Sequence, residues 1–248
     1  MRYKIKKSLS IIVPCKNEAG NIMSIYNSIN ISDRKVEILF GDDKSIDSTK
    51  EKIFQLIKLN KKKNITIEYY KGPGINKASN VKKGFNLAKN EIFIIHDADN
   101  TVNGREIRSI IKSLDLGKND FINCSRMIKK QKKNAMNKPN YWGNKFFSII
   151  YTFILSQKIT DTLCGSKAFL KKDWPKIKKL WDTWGPKDHW GDFNLLLSAK
   201  YLNLRIYEYP VIYFDRVYGQ TKMTNLILQF FRMLLISFNG LFKIKFIK

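Results

Sequence analysis

From residue 9 to residue 95 the chain repeats one alternation: a short apolar run, then a stretch in which apolar residues return every three or four positions. The runs at 9–13, 36–40, 65–69 and 91–95 predict strands. Pro14 ends the first, and the last is apolar on both faces, as a buried strand requires. Residues 19–29, 46–59 and 77–88 predict helices, with Ile53, Leu56 and Ile57 on one face of the second. Strands alternating with helices of that length predict an α/β fold whose mainly parallel sheet is covered on both sides. No internal repeat is visible.

Such a sheet gathers its strand ends at one rim, where ligands bind. Carboxylates collect there: Glu18 after Pro14 and Asn17, then Asp42, Asp43 and Asp47, then Asp97 and Asp99. Asp97 and Asp99 stand one residue apart, and carboxylates so close repel unless a cation or protons intervene. Hard oxygen ligands suit Mg²⁺ or Mn²⁺ shared with substrate phosphates. The competing reading is a cap, Asp99 or Asn100, for a helix beginning near Val102. Asp43 or Ser45 would likewise cap the helix after the second strand, and Asp47 suits its dipole. The second adjacent aspartate is not explained by capping; it suits hydrogen bonds from a ribose or a base. Gly72 and Gly74 lead into the helix that starts at Lys77, a weak phosphate signal that fits neither common nucleotide-loop pattern.

Composition narrows the partners. The 248 residues carry 46 Lys and Arg against 21 Asp and Glu, a formal charge of +25. Either this is a bias toward surface lysine, or it draws the chain to something anionic: a membrane surface, nucleic acid or a phosphorylated substrate. The lysines are dispersed and accompany no recognition helix or aromatic platform, which argues against nucleic acid. With 44% hydrophobic residues the chain can bury a substantial core, which excludes disorder as a whole. Cys15, Cys124 and Cys164 lack disulfide or metal-ligand spacing, so a reducing cytoplasm is expected. The first apolar run is too short for a signal-peptide core, and no stretch reaches the ~20 apolar residues of a spanning helix.

Past Asn225, polar residues recur at Gln229, Arg232, Asn239 and Lys243 as nearly one stripe. Phe230, Phe231, Leu234, Leu235, Phe238 and Phe242 fall on the wide remaining face. A helix of this kind, closed by Lys243, Lys245 and Lys248, fits the interface of an anionic bilayer; packing against the core or a partner is the alternative. A second apolar helix at 146–155 would join that surface.

Taken in order, Val13, Pro14, Asn17 and Glu18, then Asp42 to Thr49, then Asp97 and Asp99 resemble the nucleotide-sugar half of family 2 glycosyltransferases with the GT-A fold. Ser125 and Arg126, the segments 161–169 and 191–193, and the segment 215–222 resemble dolichyl-phosphate mannose synthases and their bacterial polyprenyl-phosphate relatives. The resemblance covers about residues 8–224. It implies inverting transfer from a nucleotide diphosphate sugar, GDP-mannose or a UDP-hexose, to a polyprenyl phosphate or other lipid acceptor. The enzyme would sit peripherally on the inner face of the cell membrane. Pro14, Asn17, Glu18, Asp42, Asp43, Lys77 and Asp97 would hold the donor, and Asp97 and Asp99 the Mg²⁺ or Mn²⁺. Arg126, Asp161, Arg216 and Lys222 would meet the diphosphate and acceptor; the alternative for Asp161 is a hydrogen-bond anchor from strand to loop.

Catalysis would fall to Asp99 and Arg216, with Asp192 as base if the acceptor is a hydroxyl. Relatives commonly carry a second acid two positions later, where this chain has Asn194. A lipid monophosphate, whose second pKa is near ~6, is already ionised and needs no base. The expected division is a GT-A domain at 1–222 and an interfacial helix with a basic tail at 223–248. Intact rim carboxylates argue against a non-catalytic chain that merely retains the fold.

Overall fold

The structure is a computed structural model that describes residues 6–129, 136–219 and 225–247. Its first half alternates strand and helix: β1 (Leu9–Cys15), α1 (Ile22–Ser28), β2 (Val36–Asp42), α2 (Thr49–Leu59), β3 (Ile65–Lys71), α3 (Lys77–Leu87) and β4 (Ile92–Ile95). These strands pair in parallel, with Leu9 of β1 opposite Val36 of β2 and Ile92 of β4. Every residue of β2 is buried, so side chains on both faces are apolar or matched. Ser10 and Glu37 sit opposite each other inside the sheet and bond to one another at 2.6 Å. At the start of α3, Asn76 and Ser79 cap each other's backbone N–H groups, which fixes where the helix begins.

The second half brings α4 (Ile107–Ile110), α5 (Lys112–Asp115), β5 (Phe121–Ser125), α6 (Lys138–Leu155), β6 (Lys167–Leu170), α7 (Trp174–Leu180), α8 (Asp192–Tyr201), β7 (Ile206–Pro210) and α9 (Leu226–Phe242). Among the described residues the sheet has seven strands in the order β3-β2-β1-β4-β6-β5-β7. β6 runs antiparallel to both β4 and β5, so the parallel pattern read from the first half stops at β4. Other boundaries shift as well. β1, β2 and β3 run past their apolar runs, which places Pro14 and Asp42 within strands. Val102 bridges to Tyr213 instead of starting a helix, and helical turns begin only at Gly104. α6 begins at Lys138, well before 146, because Asn137 caps it and Pro139 suits its first turn.

The core lies in two layers. Ile11, Ile38, Phe40 and Ile94 pack with α1, α2 and α4 on one face of the sheet. Ile12, Leu39, Phe93 and Phe169 pack with α3, α6 and α8 on the other. α9 joins this second layer through Met233 and Ile236, and a side chain at Gly240 would collide with Leu197 of α8. Phe230 lies 5.6 Å from the Phe146 ring and 5.5 Å from that of Phe147. The outer face of α9 is bare: Phe231, Leu235, Phe238 and Phe242 are exposed, beside exposed Trp142, Phe146, Ile149 and Phe153 of α6.

Helical structure continues past α9 as a π-helical stretch, Lys243–Ile247. The run Ile227–Ile247 is therefore 21 residues long, and by length and composition alone it could cross a membrane. The sequence-based expectation that no stretch reaches that length is corrected here. One side of the run is nonetheless occupied by α6 and α8.

Candidate active site

Two loops at the rim are stitched together by short polar side chains. Asn17 adopts a left-handed backbone (φ 54°), donates its N–H to Ser45 Oγ at 2.9 Å and accepts from Ile46 N at 2.8 Å. Asp42 Oδ1 accepts from Ser45 N at 3.1 Å. Asp47 takes Thr49 N, Thr49 Oγ1 and Ala19 N. Burial pushes the Asp47 carboxyl up, but these donors together hold it below the usual range. Asp43 Oδ1 accepts from Gly74 N at 2.5 Å, tying the glycine loop to the end of β2. Gly74 has φ 75°, a conformation in which a side chain is strained.

Pro14, Glu18, Asp43, Lys77, Asp97, Asp99 and Arg216 line one cavity of about 430 Å³. Asn17 and Asp42 do not line it; they brace the loops behind its wall. Glu18 is buried, accepts from Asn21 Nδ2 at 2.7 Å and lies 3.6 Å from Arg216. Each carboxylate of the Asp97–Asp99 pair meets its own cation. Lys77 Nζ is 2.5 Å from Asp97, and Arg216 Nη2 is 2.6 Å from Asp99 Oδ2. Asp99 Oδ1 accepts from Thr101 N and Oγ1 in a local turn, but it caps no helix: the helical turn begins at Gly104 and Asn103 caps it, which corrects the capping reading of Asp99 and Asn100. Burial pushes the Asp97 carboxyl up, yet Lys77 overcomes this and leaves it below the ordinary range. Lys77 is raised in turn: Asp97 and Asp192 outweigh the burial that would lower it.

A second cavity of about 370 Å³ shares Lys77, Asp97, Asp99, Trp190 and Arg216 with the first and adds Arg126, Asp192, Tyr213 and Met233. Asp161 does not reach it. The Asp161 side chain is wholly buried and grips Arg126 with both oxygens, at 2.8 Å from Nε and 3.0 Å from Nη2. It also accepts from Asn144 Nδ2 at 2.7 Å and from Leu163 N at 3.0 Å. Burial would raise this carboxyl; the Arg126 guanidinium keeps it below the usual range. Asp161 thus positions Arg126, whose guanidinium lies 5.1 Å from the Tyr213 ring centre. Asp192 heads α8 and takes the ammonium of Lys167 at 2.8 Å in the interior.

Lys222 lies outside the described residues. Sequence reasoning missed Lys167, His189, Trp190 and Gln229. Lys167 stood inside a segment whose resemblance was noted, but nothing local shows that it will lie beneath Asp192. Gln229 was read as part of a polar stripe, and it lines the first cavity.

Among the described residues no cluster of three or more His, Cys, Asp or Glu could hold a metal ion. Asp97 and Asp99 supply two hard carboxylates, a set that Mg²⁺ or Mn²⁺ completes with substrate oxygens and water. Gly165 brings the chain close against Asp97, since a Cβ there would strike Asp97 Oδ2 and Lys77 Nζ. The residues fit such an ion once Lys77 and Arg216 give up these oxygens.

A mixed sheet with paired carboxylates at its rim, between two joined cavities, has the architecture of the GT-A nucleotide-sugar transferases. The model of glycosyl transferase family 2 matches residues 10–177, more than half of the chain, and the chain belongs to that family. It is similar in structure to the mannosyltransferase PcManGT from Pyrobaculum calidifontis in complex with GDP-Man and Mn2+. There the TM-score is 0.61 at 16% identity, over 95% of this chain and 70% of that one. Glucosyl-3-phosphoglycerate synthase from Mycobacterium tuberculosis, with Mn2+, UDP and phosphoglyceric acid, gives 0.65 at 11% identity, over 95% and 78%. S. aureus TarS 1-349 with UDP-GlcNAc gives 0.59 at 18% identity, over 94% of this chain and 66% of that one. The chain therefore spans about two thirds of that TarS fragment.

Proposed function

We propose that this enzyme transfers a sugar, with inversion, from a nucleotide diphosphate donor to a polyprenyl phosphate at the cytoplasmic surface of a membrane. One observation carries the choice of acceptor. An apolar groove of about 280 Å³ between α6 and α9 shares Asn140, Leu163 and Met233 with the second cavity. An anionic head beside Arg126 and Arg216 would continue directly into an apolar tail. The bare faces of α6 and α9 supply a surface for the bilayer, and a net charge of +25 favours anionic lipid.

The chemistry follows from this arrangement. The nucleotide would lie along the first cavity, with its diphosphate at Asp97 and Asp99. The acceptor phosphate would approach from the second cavity, on the far side of the sugar, which gives displacement with inversion. As the anomeric C–O bond breaks, negative charge grows on the leaving diphosphate, and Arg216 and Lys77, which line the same cavity, would turn from Asp99 and Asp97 to meet it. A divalent ion held by Asp97 and Asp99 would add Lewis-acid stabilisation of the same charge. Arg126, held in place by Asp161, would orient the acceptor phosphate, and no proton needs removal from it.

The test is an assay with GDP-mannose, UDP-glucose and UDP-GlcNAc, Mn²⁺, and polyprenyl phosphate in mixed micelles. A lipid-linked monosaccharide is expected. Transfer to a free sugar hydroxyl, with none to the polyprenyl phosphate, would favour the second reading, in which Asp192 in the second cavity acts as base.

A further inference from the structure

The two cavities meet at Lys77, Asp97, Asp99, Trp190 and Arg216, and α9 crosses that junction. Gln229 lines the first cavity; Met233, one turn further on, lines the second. A sugar passing from a donor in one to an acceptor in the other must lie here, against this turn of α9. Gln229 is its polar member. The residue is only 8% exposed, and its Oε1 has no hydrogen-bond partner among the described residues. A buried amide oxygen left unpaired is costly, and a turn of this side chain, which itself lines the cavity, would bring the amide to a ligand that completes the bond.

We propose that Gln229 holds a hydroxyl of the sugar being transferred, so that α9 supplies part of the donor specificity. This rests on the reading of the site as a sugar-nucleotide transferase. A pyranose hydroxyl both donates and accepts, so it satisfies the amide in either orientation. The surroundings hold this turn of α9 in place. Arg232, three residues on, bonds to His189 Nε2 at 2.8 Å, and the His189 carbonyl accepts from Ala78 N at 3.0 Å. This part of α9 is thereby tethered to the start of α3, next to Lys77, and a tethered side chain discriminates better than a loose one. A site built to bond a hydroxyl rejects sugars that lack it or turn it away.

The experiment compares binding of sugar nucleotides with binding of the bare diphosphates. UDP, GDP, UDP-glucose, UDP-GlcNAc and GDP-mannose are titrated calorimetrically, with Mg²⁺, into the wild type, Gln229→Met and Gln229→Glu. Gln229→Met keeps the shape without the acceptor oxygen, whereas Gln229→Glu keeps an oxygen. In Gln229→Met the preferred sugar nucleotide should bind about 3- to 10-fold more weakly, with the matching diphosphate unchanged. Gln229→Glu should keep the preference for the sugar-bearing form. Equal loss for both ligands, or no loss for either, would overturn the proposal. A wild type that binds none of the five would instead sink the reading of the site itself.

Discussion

The half of the sheet built from β1 to β4 and the half built from β5 to β7 make the site by different means. In the first, function sits where parallel strands end. Asp43 comes from the junction after β2, Asp97 and Asp99 from the one after β4, and they are held by nearby backbone N–H groups or by cations across the cavity. In the second, the cavity wall depends on interior ion pairs between distant segments: Arg126 with Asp161, and Lys167 with Asp192. A junction carboxylate can be lost without leaving a hole in the core, whereas an interior pair cannot be split without stranding a charge.

Asp161→Ala should therefore have the largest effect. It leaves Arg126 without its two-pronged partner, and unfolding in urea should show a loss of about 3–5 kcal/mol together with activity. Asp99→Ala should abolish most turnover, by roughly 10²- to 10³-fold, while the urea midpoint moves little. Comparable destabilisation by both would erase the contrast. A milder effect is expected at the outer surface. Trp142→Ser combined with Phe238→Ser should weaken flotation with phosphatidylglycerol vesicles severalfold while leaving calorimetric binding of the donor intact.

The smallest effect concerns His189. Burial, with Arg232 beside it, pushes the imidazole below its ordinary value. The unfolded chain then takes up this proton first, near pH ~6.5, so native stability should fall as pH drops below that value and level off below the folded pKa. Replacing His189 by Gln should flatten this slope in urea midpoints measured between pH 5 and 8.

The same contrast explains what could be read in the sequence. The first half announced itself because each element is local: an apolar run, its turn, an amphipathic helix. Even there, the residues of the Asn17 and Asp42 motifs turned out to brace loops, since a motif gives order along the chain and not the direction of a side chain. The second half was legible only in fragments. β6 is four residues long and enters the sheet antiparallel between two strands from elsewhere in the chain, a pairing no local pattern encodes. Asp161 carries no sign in sequence that its partner is Arg126 and not a ligand. Gln229 had a clear helical position, but which face of α9 would meet the cavity depended on where α6 and α8 packed.

The groove between α6 and α9 has a practical consequence for handling the enzyme. An apolar slot of about 280 Å³ adjoining the cavity that holds Arg126 and Arg216 would also accept a surfactant chain. Purification in a mild long-tailed neutral detergent should leave the protein intact yet blocked, and exchange into short-tailed neutral micelles should release it.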